Sequence, residues 1–556
     1  MKLRRMVSCM MALLLVCSLP LAACAEEYDL SVGSVTVNAS ESGQTVSQVN
    51  GVQNHTETTP TVIKQTGSGT TTTNTVTINA AENAEANVTI QDVNIAISDP
   101  SGSPQNHSGQ AAVTINVAEN AEANVTLDGV NIDVSGTGNI RKDAPGEAAV
   151  QITGNGDVTL ELDGTNTVQS GSGRAGVEKN TIAATSTNPG NGNGNLTITD
   201  ENGTAGSLES TGGLDGSGIG GGHDRSGSNI TITGTAEVTA QGGQSGAGIG
   251  GGAYRDGSNI NISGSAEVTA NGGKYGAGIG GGQRGNGSEI TISGGTVEAN
   301  GGENDGAGIG GGAYGSGSNI KISGTAEVTA KGGSYGAGIG GGFKSSGSNI
   351  TISQDAQVKA QGGKSGKSNG SPEVFYGAGA AIGNGGKSGY SNSRKLNGAE
   401  ATPNTDELTA NGKIEYYAPG ADMKTADPIK TVTGTYVPPQ PTEPEEEAPQ
   451  SSQPLYRVVG QDGKNLACKK AQSSGVLTIT VDADFATLTG SASGLKTLKA
   501  QGVETVVFVT TGATSTFALA DLLAQVPSGS TYALTHVGSI VTLTLSSGVD
   551  ISSILK

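Results

Sequence analysis

The sequence predicts a parallel β-solenoid, built from coils of three short strands, followed by a small α/β module. Three observations carry that reading. First, GSGIGGG at Gly216–Gly222 returns as GAGIGGG at Gly246–Gly252, Gly276–Gly282, Gly306–Gly312 and Gly336–Gly342, with a damaged copy at Gly377–Gly386. Second, each thirty-residue interval holds two β-type runs, NITI at Asn229–Ile232 and EVTA at Glu237–Ala240, with no helical period between them. Self-similarity of this length, made of strands and glycine turns, is the pattern of stacked coils whose core exists only between neighbours. Third, the composition is right for a thin core: 93 Gly, 12 Tyr, 5 Phe and no Trp, with 33% hydrophobic residues.

Strand alternation assigns the faces. Side chains point to opposite sides along a strand, so Ile249 and Ala247 go inward and Gly246, Gly248 and Gly250 go outward. The same parity applies to Gly278 and Gly308, and it predicts an outer strip of bare backbone along the array. Ile230 and Ile232 go inward with Thr231 outward; Val238 and Ala240 go inward with Glu237 and Thr239 outward. One copy tests the register. At Gly295–Gly302 the text becomes GTVEANGG, so Val297 and Ala299 arrive one residue early, and the next turn, ENDG, is one residue longer. A deletion repaired at once by an insertion is what a stacked register requires.

In chain order, residues 1–25 read as a signal peptide: Lys2, Arg4 and Arg5, an apolar stretch, then small residues. Leu21-Ala22-Ala23-Cys24 has the form of a lipobox, which would put a lipid on Cys24. Ala23-Cys24-Ala25 also fits an ordinary A-x-A cleavage site, and the lack of a polar tether after Cys24 favours plain secretion. Cys9 and Cys17 leave with the signal, so Cys468 has no partner for an intramolecular disulfide. The formal net charge is −19, and loss of the three signal cations takes it near −22. Such a chain will not hold nucleic acid or an anionic membrane by bulk electrostatics, so membrane association is expected only through a lipid on Cys24.

Residues 26–74 are polar and read as an N-terminal cap region. The β-helix is expected over 75–436, with the thirty-residue repeats at 211–360. Its first coils are longer: VTINAAENAEANVTIQDVNIAIS from Val76 and VTINVAENAEANVTLDGVNIDVS from Val113 are thirty-seven residues apart, and a third copy starts at Gln151. Asn94, Asn131 and Asn166 sit after equivalent strand ends, which predicts a coil-to-coil asparagine stack. Residues 399–436 read as closing strands. Residues 437–454, VPPQPTEPEEEAPQSSQP, carry six of the 17 prolines and four glutamates and form an extended linker. Residues 455–556 read as the α/β module, with strands at Val476–Val481 and Val503–Thr510, short helices at Leu495–Gln501 and Phe517–Gln525, and a hairpin over Thr531–Leu545.

Little of this carries catalytic chemistry. His55, His107, His223 and His536 lack metal-ligand spacing, and GAGIGGG lacks the aspartate of a calcium-binding nonapeptide. Asp224, Arg225, Arg255, Asp256 and Arg284 lie in neighbouring turns, but the persistent carboxylate column of a polysaccharide lyase is missing. The outward column Thr231, Asn261, Thr291, Lys321, Thr351 is too mixed for an ice-binding face. Glu237 and Glu267 stack outward, as a solvated face or a weak cation site.

The scarce aromatics are placed more suggestively. Tyr254, Tyr314 and Phe343 follow GIGGG, and Tyr275, Tyr335 and Tyr376 precede it, so they flank the glycine strand on both sides. With Gly248, Gly278 and Gly308 as the floor, they make a candidate sugar platform, since tyrosine offers a flat apolar face with a polar tip. They can equally serve to shield glycine turns.

The GAGIGGG arrays, VTLDGVNI, VTLELDGTNTV and LTITDENGTAGSL resemble large exported right-handed parallel β-helix proteins of Gram-positive, often gut-associated bacteria. The resemblance spans roughly residues 75–390. It implies a right-handed coil, and for some members a carbohydrate-binding role with acidic plant polysaccharides as ligands and calcium as helper. The C-terminal module is similar to terminal domains of such surface proteins, without a sortase motif. Two functions are therefore expected: a non-catalytic extracellular or cell-surface protein that binds polysaccharide or host glycan, adhesin-like, or a structural stalk with protein contacts alone. A polysaccharide lyase is the third, weaker alternative, and no cofactor is expected beyond calcium.

Overall fold

The computed structural model describes residues 27–436 and 456–555, except 58–59, 68, 101–102, 108, 140–143, 181–191, 369–372, 391–395, 461–463, 465, 467, 474, 501, 527–530 and 546–548. The expected signal at 1–25 and linker at 437–454 lie outside the described residues. The chain divides into two compact units at Pro438–Pro439.

The first unit is a parallel β-helix with three strand faces. Stacking fixes every face at once, because a coil can bury its apolar side chains only against the coil before and after it. On the first face Ile219, Ile249, Ile279, Ile309, Ile339 and Ile382 pair in register, and all are fully buried. On the second face Gly227–Ile232 pairs parallel with Gly257–Ile262 and so down the array, placing Ile230 over Ile260 and Ile232 over Ile262. On the third, Glu237–Gln241 pairs with Glu267–Asn271, Val238 over Val268 and Ala240 over Ala270. The compensated deletion is accommodated as the register demands: Glu267 faces Thr296 and Thr296 faces Glu327, with Val268, Val297 and Val328 still in column.

The helix begins earlier than residue 75. Glu27–Asp29 pairs parallel with Thr61–Lys64, which pairs parallel with Glu85–Gln91. Val35–Ser40 lies parallel to Val76–Ala80. The stretch read as the cap region thus also supplies a coil, because Val35, Val37, Val46 and Ile63 are as buried as the array isoleucines. Capping falls to the antiparallel strand Gly43–Gln48. There the Gln44 amide gives its Nε2 to the Asn87 carbonyl at 3.2 Å and takes the Asn87 N–H on Oε1 at 3.0 Å. At the other end Lys413–Tyr417 continues the third face parallel to Gln357–Gln361, and Lys430–Thr433 turns back antiparallel to close it.

The asparagine stack is present in part. Asn131 Nδ2 donates to Asn94 Oδ1 at 2.9 Å. Asn166 does not join them: Thr167 takes the place over Asn131, within one unbroken strand Asp157–Gln169 that spans two faces. One residue out of column, Asn166 is fully buried; its Oδ1 accepts the Val130 N–H at 2.9 Å, and its Nδ2 donates to the Asp163 and Leu127 carbonyls at 3.0 and 3.1 Å. Other asparagine ladders run elsewhere. Asn38, Asn79 and Asn116 link at 2.8 Å per step. Asn259 donates to Asn229 at 2.8 Å and Asn349 to Asn319 at 2.6 Å, all four in the left-handed region that asparagine tolerates.

The second unit has two four-stranded sheets and short helices at Ala492–Ala500 and Leu519–Leu523. Val476–Thr480 pairs parallel with Thr505–Val509, and Thr531–Val537 and Ile540–Leu545 form the hairpin. Phe517 and Ala518, read as helix, end the strand Thr514–Ala518 instead, with Phe517 in the core. His536 is fully buried between the Ser515 and Thr510 hydroxyls, at 2.8 and 3.0 Å.

Two expectations follow from these contacts. Ile279→Ala removes buried volume that no neighbour can refill, so we expect a loss of about 2–5 kcal/mol in thermal or denaturant unfolding of the β-helix. Burial holds the His536 pKa below its ordinary 6.5. The unfolded state therefore takes up the proton first as pH falls, and stability present above about pH 6.5 is lost on acidification. Amide exchange of peptides from 505–545 should show lower protection at about pH 5 than at about pH 7.5, after correction for intrinsic rates.

Candidate functional site

The GAGIGGG segment is a pinched loop rather than a flat strand. Ala247 N–H donates to the Gly251 carbonyl at 2.9 Å, and Ala277 and Ala307 repeat the bond to Gly281 and Gly311 at 2.9 Å. Ile249 sits at the tip of the pinch, aimed into the core, and only Ile249–Gly250 is strand. Coil-to-coil bonds then run from Gly248 N–H to the Ala277 carbonyl and from Ile249 N–H to the Gly278 carbonyl, both 3.0 Å.

This overturns the expected glycine floor. Gly248, Gly278 and Gly308 are buried. A Cβ on Gly248 would lie 2.6 Å from the Gly278 carbonyl oxygen and 2.7 Å from Asn271 N; one on Gly278 would meet the Gly308 oxygen at 2.6 Å. The alternation argument fails because it assumes an extended strand, whereas the pinch folds backbone over the side that parity leaves outward. These glycines are required by close backbone approach and are closed to any ligand.

The pinch does bring the aromatics together. Backbone bonds join the turn before one pinch to the turn after the next: Gln283 N–H to Ser245 O at 2.7 Å, Ala313 N–H to Tyr275 O at 2.8 Å, and Phe343 N–H to Asp305 O at 2.8 Å. Tyr335 stacks on Tyr376 with centroids 4.9 Å apart and planes at 19°. Phe343 touches Tyr314 and Tyr335 at 5.5 Å each and Tyr376 at 5.8 Å. Arg284 lies 6.0 Å from the Tyr254 ring and its charge also reaches the Tyr314 phenol. Tyr275 carries Lys274 over its ring at 5.6 Å and is close enough to act on Tyr314. The candidate aromatics therefore form one strip along the stack.

They do not present equal surface. Tyr254 and Tyr314 are each 47% exposed, whereas Phe343 is 2% exposed. Phe343 is thus a support beneath the tyrosines and offers no face of its own; Tyr275, Tyr335 and Tyr376 are half-buried. Tyr254 and Tyr314 hold the same place two coils apart, alternating with Asp224, Arg284 and Lys344, and all five adopt positive φ between 56 and 65°.

Two carboxylates in this strip were not singled out from the sequence. Asp215 and Asp305 occupy the same turn position as Ser245, Tyr275 and Tyr335. Asp215 lies 3.5 Å from His223 Nδ1 and is held below the usual carboxylate range, chiefly by that contact and also by Ser245. Asp305 has neither partner, because Ala313 and Tyr335 stand where His223 and Ser245 stood. Its Oδ1 is buried and unbonded, and burial pushes its pKa up to about 6. Burial and the nearby Asp305 charge in turn raise the Tyr314 and Tyr335 phenols.

Among the described residues no group of three or more His, Cys, Asp or Glu is arranged to hold a metal ion. The outward glutamate column is broken by Thr296 between Glu267 and Glu327.

The beta helix repeat family matches residues 230–253, 260–283, 290–313 and 320–343, each running from the second-face strand to the residue after GIGGG. Residues 230–343 thus carry β-helix repeats, in agreement with the parallel coils seen there. No curated protein and no solved structure matches it.

Substitutions should separate the two residue classes. Gly278→Ala forces backbone apart and should destabilise the β-helix by about 1–3 kcal/mol. Tyr254→Ala, on a half-exposed ring, should stay within about 0.5 kcal/mol of the parent. Paired chemical denaturation of the two variants reads the difference.

Proposed function

We propose that this is an exported, non-catalytic protein that binds polysaccharide or host glycan on its tyrosine strip, as a carbohydrate-binding or adhesin-like component outside the cell. The observation that carries the reading is the pair Tyr254 and Tyr314, half-exposed in a column otherwise polar. Two coils separate them by about 10 Å at the strand spacing, comparable to a disaccharide unit. Arg284 stands between them and supplies hydrogen-bond donors. Flat rings with polar tips, spaced along a rigid axis, suit successive sugar rings. The charge patterning and the signal-like residues 1–25 support an extracellular setting, with membrane attachment only by way of Cys24.

The second reading is a stalk with protein contacts alone. It is favoured by the pinch glycines Gly248, Gly278 and Gly308, committed to coil packing, and by the ring contacts among Tyr335, Phe343 and Tyr376, which staple the last coils to each other. A glycan array with the intact chain, with and without calcium, distinguishes them, since a stalk binds nothing on it. In the glycan-binding case Tyr254→Ala with Tyr314→Ala should weaken binding about tenfold or more, at about 1 kcal/mol per ring, with unfolding midpoints unchanged. Equal binding by parent and double variant, or none by either, leaves the stalk.

A further inference from the structure

The repeat supplies its own control for Asp305. At the same turn position Asp215 is satisfied by His223 and Ser245, whereas Asp305 has Ala313 and Tyr335 in their places and its Oδ1 is buried without a partner. Its own carbonyl accepts the Phe343 N–H at 2.8 Å, so the aspartate that lacks partners is the one that pins the central ring of the cluster. It does so from a strained backbone, φ 83°, in the left-handed region. The ionisable groups facing it are Lys344, Tyr314 and Tyr335, with Arg284, Tyr275 and Tyr376 acting on it at one remove through Tyr314. No donor among these satisfies Oδ1. A proton is the smallest group that can relieve such an atom, since it cancels the buried charge.

We propose that Asp305 is a protonation gate on the tyrosine strip: neutral, it lets the turn at 303–306 close and hold Phe343, Tyr314 and Tyr335 in one packed arrangement; ionised, it drives the turn open. The direction follows from burial. The closed turn favours the neutral acid up to about pH 6, while an opened, solvated turn ionises near the ordinary 3.8. Between those values the closed form alone keeps its proton, so closure weakens as pH rises through the window and is weakest above it. The gate is a property of the turn; its effect on ligand rests on the proposed glycan-binding function, and there it predicts tighter binding in mild acid, where the platform is already assembled.

The test is amide exchange by mass spectrometry on the intact chain at about pH 5 and about pH 7.5, corrected for intrinsic rates. Peptides covering 300–315 and 335–345 are compared with 243–253, where Ser245 takes the place of Asp305. We expect protection of the first two to fall by up to about tenfold at the higher pH while 243–253 stays level. In Asp305→Asn the response should vanish. Asp305→Ser, a residue the repeat already carries at this position, should behave the same way and guards against misfolding of the amide variant. A parent chain with no pH response, or variants that keep it, overturns the gate. A glycan array at both pH values reads the functional arm: parent signal stronger in acid and Asp305→Asn signal level support the coupling, and equal parent signal at both values overturns it. A pH-responsive turn with no glycan bound at either value leaves the gate standing and removes the glycan-binding function.

Discussion

Successive coils in this protein lie one peptide hydrogen bond apart, and the pinch around each array isoleucine is where that spacing is least forgiving. Backbone from two legs of one coil and from the coils on either side converges there, so the positions around Ile249 or Ile279 have no room for a Cβ. The isoleucine reaches the core only because the glycines fold that tightly. Everything else on that corner is set by it: the turns on either side of the pinch are tied by backbone bonds to turns of the neighbouring coil, and the tyrosines ride on those turns.

Much of the fold was legible because stacking makes sequence spacing and spatial register the same thing. The isoleucine, valine and alanine columns, the repaired deletion at Gly295 and the hairpin at Thr531–Leu545 all follow from period and alternation. The readings that failed did so for separate physical reasons. Alternation is valid only for extended backbone, and Gly248 and its equivalents lie in a folded pinch. Asn166 lost its place because the strand Asp157–Gln169 runs on through a position where the earlier coils turn. The first coil hid in residues 26–74 because Val35, Val37 and Ile63 come without the repeat that marks the later ones.

The candidate site divides along the same line. Scarce aromatics at repeating positions were visible in the text, and the structure gathers them into one strip. Their unequal roles were not, since only packing tells that Phe343 lies beneath while Tyr254 and Tyr314 stand half in solvent. Asp305 was hidden for another reason. Its character comes from what Ala313 and Tyr335 fail to provide, and an absent partner leaves no mark in a single copy of the repeat; it appears only beside Asp215.

The array column Asp224, Tyr254, Arg284, Tyr314, Lys344 has a period of two coils, while the core beneath it has a period of one. The scaffold can therefore gain or lose any whole coil at no cost to its ladders, but the surface pattern survives only if coils come and go in pairs. Loss of the single coil bearing Arg284 would set Tyr254 and Tyr314 against each other at about 5 Å, close enough for the rings to stack on one another. Length and surface pattern are thus separately adjustable here, the first in single steps and the second in double ones.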